Sequence, residues 1–149
     1  MKYQKAIDYL TKVYEHLPPE CALEKGGIGE MILANHLGHT VLESDKSEDG
    51  IDDEGNLYEY KCSRTNQFCF HFGTRTMQNG MDWREKLNKM DTWHGIWCAY
   101  IKGTEILDIA HVDTHKMKKF LLEHFERTSG QQMVINLSMA RIKEIANSS

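Results

Sequence analysis

A chain of 149 residues with 40% apolar and 27% charged side chains is long enough to bury one core and needs no disulfide or metal to fold. Its apolar runs fall well short of the ~20 residues of a membrane helix, and the first residues, Met1-Lys2-Tyr3-Gln4-Lys5, do not open a secretory leader. These features exclude a membrane-spanning helix and lead us to expect an intracellular, cytoplasmic protein.

Residues 3–14 place Ala6, Ile7, Tyr9, Leu10, Val13 and Tyr14 near helical spacing, which predicts an amphipathic helix ended before Pro18-Pro19. A second helix is expected after Gly26-Gly27, through Ile28, Met31, Ile32 and Leu33 to a stop at Gly38, with Glu30 inside it. Thr40-Val41-Leu42 reads as a short strand. Turn signals follow at Asp49-Gly50 and Glu54-Gly55-Asn56. Leu57 to Cys62 and Gln67 to Phe72 both alternate as strands do. Residues 73–93, with Gly73, Gly80, Trp83 and Trp93, read as loop interrupted by a short helix around Arg84–Met90. Ile96–Ile101 and Ile106–Val112 form a hairpin about Lys102-Gly103. A helix from Thr114 to Arg127, with Met117, Phe120, Leu121, His124 and Phe125 on its apolar face, stops before Gly130. Met133–Leu137 is a last strand, and Ser138 caps a closing helix through Ile142 and Ile145. The fold class is α+β: a single domain over residues 1–149 with a central mixed sheet flanked by helices.

Charge is unevenly spread. The net charge is −4, yet residues 1–59 hold 5 Lys and Arg against 13 Asp and Glu, whereas residues 60–149 hold 13 against 9. Eight acids crowd into residues 43–59 with only Lys46 opposing them. Such a cluster either binds cations or is a solvated loop. The cysteines Cys21, Cys62, Cys69 and Cys98 have no paired spacing and read as free thiols in a reducing compartment. Zinc on Cys62, Cys69 and His71 lacks the short CxxC spacing that structural sites favour. Calcium finds the first half of an EF-hand loop in Asp45, Ser47, Asp49 and Gly50, but the twelfth position is Asn56 where a bidentate Glu is needed.

One constellation carries chemistry. Asp49 precedes a strand in which Glu59 and Lys61, two residues apart, emerge on one face while Tyr60 turns into the core. Hydrolysing a phosphodiester calls for a divalent ion that neutralises developing charge and acidifies a water. Mg²⁺ prefers oxygen donors and keeps several waters, so the carboxylates of Asp49 and Glu59 with a backbone carbonyl, that of Tyr60, suffice to anchor it. Lys61 then reaches the attacking water. The plain alternative is a solvent-facing Glu59/Lys61 pair on an edge strand and a turn-forming Asp49.

The stretch Asp49-Gly50-Ile51-Asp52-Asp53-Glu54-Gly55-Asn56-Leu57-Tyr58-Glu59-Tyr60-Lys61 resembles the PD-(D/E)XK nuclease superfamily, which includes most type II restriction enzymes. The likeness extends over residues 24–126. Glu30 lies on the preceding helix, where many members carry a further acid. No Pro precedes Asp49, and Asp52 is the reserve for its role. The resemblance implies a restriction-endonuclease-like fold with a catalytic set of Asp49, Glu59, Lys61 and Glu30. It also implies a Mg²⁺-dependent, site-specific DNA endonuclease, with Mn²⁺ as a possible substitute. Double-stranded DNA is the expected partner, contacted by Arg64, Arg75, Arg84 and Lys86. A chain this short needs a homodimer or higher assembly to cut both strands. Homing or repair endonucleases, junction resolvases and a noncatalytic DNA-binding protein are the alternatives.

Overall fold

The computed structural model describes residues 1–16, 27–43, 48–74, 83–128 and 132–148. Pro18-Pro19, Cys21, Gly26, Asp45, Ser47, Arg75, Gly80 and Gly130, which entered the sequence reading, lie outside the described residues. The chain order is α1 (Gln4–His16), α2 (Gly27–Leu37), β1 (Thr40–Val41), β2 (Gly50–Ile51), β3 (Leu57–Ser63), β4 (Gln67–Thr74), a 3₁₀ helix (Trp83–Thr92), β5 (Gly95–Lys102), β6 (Glu105–Asp113), α3 (Thr114–Arg127), β7 (Gln132–Ser138) and α4 (Met139–Ala146). Together these form a single small α+β domain.

Five strands make a mixed sheet in the order β1-β2-β3-β5-β6, antiparallel except where β3 runs parallel to β5. The expected central mixed sheet is present, and beside it β4 and β7 form a separate antiparallel pair that the sequence reading did not set apart. The reason is packing. Phe68, Phe70 and Phe72 on β4 and Met133 and Leu137 on β7 are buried and face the large core. The pair thus works as a lid across one face of the main sheet, which it could not do as an edge extension.

Two cores lie on opposite faces of the main sheet. The larger joins Ile96, Cys98, Ala110 and Val112 to the β4–β7 pair, the 3₁₀ helix, α3 and α4. The smaller joins Tyr58, Tyr60, Ala99 and Ile101 to Ile7 of α1 and to Ile32, Leu33 and Ala34 of α2. Four consecutive residues of α2 are buried, so this helix is covered nearly all round and its sequence shows no apolar stripe. It ends in a Schellman motif: Gly38 adopts φ 74°, its N–H donates to Asn35 O, and the His39 N–H donates to Ala34 O at 2.9 Å. By contrast, α1 buries only Ile7 and leaves Tyr9 and Val13 exposed, contrary to the broader apolar face read from its sequence. Polar bonds hold it. Tyr3 N–H donates to Asn35 Oδ1, Asn35 Nδ2 donates to Gln4 Oε1, and Thr11 and Thr104 hydroxyls meet at 2.7 Å.

The turn expected at Asp49-Gly50 contains β2, a strand too short to be read from alternation. Gly50 pairs with both Val41 and Tyr58, so the acidic segment is stitched into the sheet edge. No described helix is long and apolar enough to cross a membrane.

Candidate active site at the open edge of β3

Pairing between β2 and β3 stops at Gly50 and Tyr58, so β3 beyond Tyr58 has no β2 partner. Asp49 sits at that point. Its N–H donates to Tyr58 O, and its Oδ2 accepts the Tyr60 N–H, both at 2.9 Å. The N–H and C=O of one strand residue point to the same side. The Tyr60 carbonyl therefore faces the same open edge as the Asp49 carboxylate.

Glu59 and Lys61 project from the face opposite Tyr58 and Tyr60. The Lys61 ammonium lies 3.6 Å from Glu59 Oε1 and 5.3 Å from the Phe70 ring centroid, so the β4 lid roofs the pair. Glu59 is the more enclosed, with its side chain 15% exposed. Burial and the adjacent, hydrogen-bonded Asp49 push its carboxyl up to about 8, against the opposing pull of Lys61 and Lys89. A charge at 3.6 Å and an effective dielectric of 20 is worth on the order of 4 kcal/mol, so the opposing desolvation and carboxylate repulsion are at least comparable. Glu30 is also raised, first by burial and then by Asp49. It reaches this edge because Gly29 packs against β3, where a Cβ would come within 2.9 Å of Cys62 Cβ. Glu30 and Glu59 thus each feel the charge of Asp49, and Glu30, Tyr60, Lys61, Cys62, Ser63, Gln67, Phe68 and Cys69 line an open cleft of about 260 Å³.

Asp52, the reserve for Asp49, is used differently. Its Oδ1 accepts the Glu54 and Asn56 N–H groups, and its Oδ2 accepts Asn56 Nδ2 and the Tyr58 hydroxyl. Against a desolvation that works in the other direction, the Asn56, Tyr58 and Glu54 hydrogen bonds hold its carboxyl down at about 2. Its lone pairs organise the turn.

Protein-family models and curated proteins contain no match to this chain. What the site can do rests on its geometry.

Oxygen donors dominate the edge: the two carboxylates and a main-chain carbonyl are hard ligands suited to Mg²⁺, and the elevated Glu59 is what a cation would reverse. Among the described residues no three His, Cys, Asp or Glu side chains already stand as a ligand cluster. The Cys62, Cys69 and His71 grouping considered for zinc does not assemble. Cys69 and His71 are exposed on β4, whereas Cys62 packs beneath Gly29 with its thiol pushed up to about 12 by burial and by Glu30 and Asp49. Of the basic residues expected to meet nucleic acid, Arg64 is exposed on the β3–β4 turn near the cleft. Arg84 pairs with Glu126 and covers Trp83, and Lys86 lies near Gly73. Sequence reading missed Lys89, whose charge acts on Glu59 from the 3₁₀ helix; no local motif announces it. It also missed His39, whose Nδ1 lies 2.8 Å from the Tyr60 hydroxyl.

Proposed function

We propose that this chain is a Mg²⁺-dependent, site-specific DNA endonuclease with a restriction-endonuclease-like fold, and that Asp49, Glu59 and Lys61 form its catalytic centre. The observation that carries this reading is the meeting of Asp49 and Glu59 at the open edge of β3, with Lys61 beside them and the Tyr60 carbonyl facing the same edge. Such a set is costly to folding when no cation is bound, because Glu59 is largely enclosed beside another acid.

Asp49, Glu59 and the Tyr60 carbonyl would hold the ion, with Glu30 near enough to Asp49 to orient a water in its shell. The bound ion supplies charge neutralisation at the phosphate and a more acidic water. Lys61, beside Glu59, would donate a hydrogen bond to the nucleophilic water and hold a positive charge beside the phosphate. Phe70 and the β4 lid limit the approach of bulk solvent to the pair. Arg64, at the turn next to the cleft, is placed to meet the DNA backbone. One copy holds one such centre, so cutting both strands calls for two copies related by symmetry.

Plasmid and phage DNA incubated with the protein in Mg²⁺, Mn²⁺, Ca²⁺ or EDTA tests this. Discrete fragments in Mg²⁺ and Mn²⁺, with none in EDTA, are expected. Binding without cleavage under every condition would replace the enzyme by a DNA-binding protein. Cleavage of branched DNA alone would make it a junction resolvase, and single-strand nicks by a sedimenting monomer would point to a repair-type enzyme.

A further inference from the structure

Tyr60 occupies the middle position between Glu59 and Lys61, where any apolar residue would fill the core. Here the ring does more. It is 4% exposed, and its hydroxyl lies so close to the Cα of Gly50 that a Cβ there would overlap the hydroxyl and the ring carbon bearing it. Gly50 is the residue next to Asp49. Tyr60 therefore grips the Asp49-Gly50 segment twice: its main-chain N–H holds Asp49 Oδ2 at 2.9 Å, and its ring end abuts Gly50.

His39 holds the ring end in turn. Its Nδ1 is 2.8 Å from the Tyr60 hydroxyl, and its ring stacks on Tyr58 with centroids 4.7 Å apart. The Tyr58 hydroxyl bonds Asp52, which closes the turn on the far side of β2. His39 is itself anchored, since its N–H caps α2 through Ala34 O. A continuous set of contacts thus runs from the end of α2 through His39 and Tyr60 to the segment that carries Asp49.

We propose that Tyr60 and His39, closing on Gly50, are positioning residues that set the Asp49 carboxylate against Glu59 for divalent-ion binding. This rests on the proposed function, whose ion site it deepens. A ligand that must meet a second ligand across a strand edge loses affinity when its support is loosened, commonly by tenfold or more. Neither the hydroxyl nor the imidazole is itself a proposed ligand; they act through the Asp49-Gly50 segment and through the main chain of Tyr60, whose N–H holds Asp49.

Mn²⁺ binding to the purified protein by calorimetry, beside a thermal unfolding curve for each variant, tests the idea. Tyr60→Phe and His39→Leu are each expected to weaken Mn²⁺ binding about tenfold while the protein still unfolds cooperatively. His39→Asn, which keeps a polar atom near the Nδ1 position, is expected to recover most of the affinity. A residue that merely stabilises the fold would lower the unfolding temperature and leave Mn²⁺ affinity unchanged; that result in both Tyr60→Phe and His39→Leu overturns the inference. Mn²⁺ affinity that survives Glu59→Ala overturns the proposed ion site instead. A wild-type protein that takes up no Mn²⁺ overturns both.

Discussion

Asp49 and Asp52 stand three residues apart in the same acidic segment, and their surroundings are opposite. Asp52 receives three hydrogen bonds from its own turn and a fourth from the Tyr58 hydroxyl on β3, and its carboxyl is held down at about 2. Asp49 receives the Tyr60 N–H and is otherwise turned toward Glu59, which it helps to push up to about 8. One acid has its charge satisfied by donors within the chain. The other contributes to a crowd of acids that Lys61 and Lys89 offset only in part. A carboxylate that shapes a turn is thus told from a candidate ligand by where its lone pairs go.

The sharpest way to break this comparison is to remove each acid and measure DNA cleavage. Asp49→Asn, Glu59→Ala and Lys61→Ala are each expected to lower the rate by about 10³-fold or more, the scale of losing a charge-stabilising group at a reacting centre. Quantitative plasmid cleavage in Mg²⁺ checks it. Full activity in Asp49→Asn together with a dead Asp52→Ala would transfer the ligand role.

A second measurement uses pH, because the two environments have opposite signs. Folded Glu59 keeps a proton that the unfolded chain releases near 4.5, so the associated stability is present at acid pH and is lost as pH rises through about 8. Asp52 behaves in reverse: its contribution is present above its ordinary value of 3.8 and disappears as pH falls toward about 2. Urea unfolding in EDTA is expected to show stability falling as pH rises from about 4.5 to about 8, by on the order of 1–3 kcal/mol over the upper half of that window. Glu59→Gln, which cannot ionise, should abolish that fall, and Mg²⁺ should reduce it in the wild type. An unchanged slope in Glu59→Gln would remove the argument from acidic crowding.

The smallest expected effect belongs to Asp52→Ala. Cleavage should stay close to the wild-type rate, while the unfolding temperature drops because the Glu54 and Asn56 N–H groups and the Tyr58 hydroxyl lose their acceptor. A thermal scan beside the cleavage assay reads both. An Asp52→Ala protein of unaltered stability would show that the turn holds without its side chain.

The ends of α3 and the Ser138 cap of α4 were legible because period and capping chemistry are local, and the Ser138 hydroxyl does accept the Arg141 N–H. The alternation of Tyr58 and Tyr60 against Glu59 and Lys61 was legible for the same reason. The separation of β4 and β7 from the main sheet was not. Both strands alternate as any sheet member would, and their place depends on the apolar face each offers to a distant core.

At the candidate site the division is similar. The order Asp49, Glu59, Lys61, and the shared face of the last two, follow from sequence alone, because adjacent strand positions are tied by covalent geometry and need no further fold. The tertiary structure decided the rest. Glu30 comes to the edge because Gly29 lets α2 close on Cys62, and Lys89 arrives from the 3₁₀ helix. Asp49 meets Glu59 because Gly50 leaves room for the Tyr60 hydroxyl and His39 holds it there. Each of these depends on which distant backbones approach closely, and such approaches are settled by packing across the whole domain, with no trace in the local period of the chain.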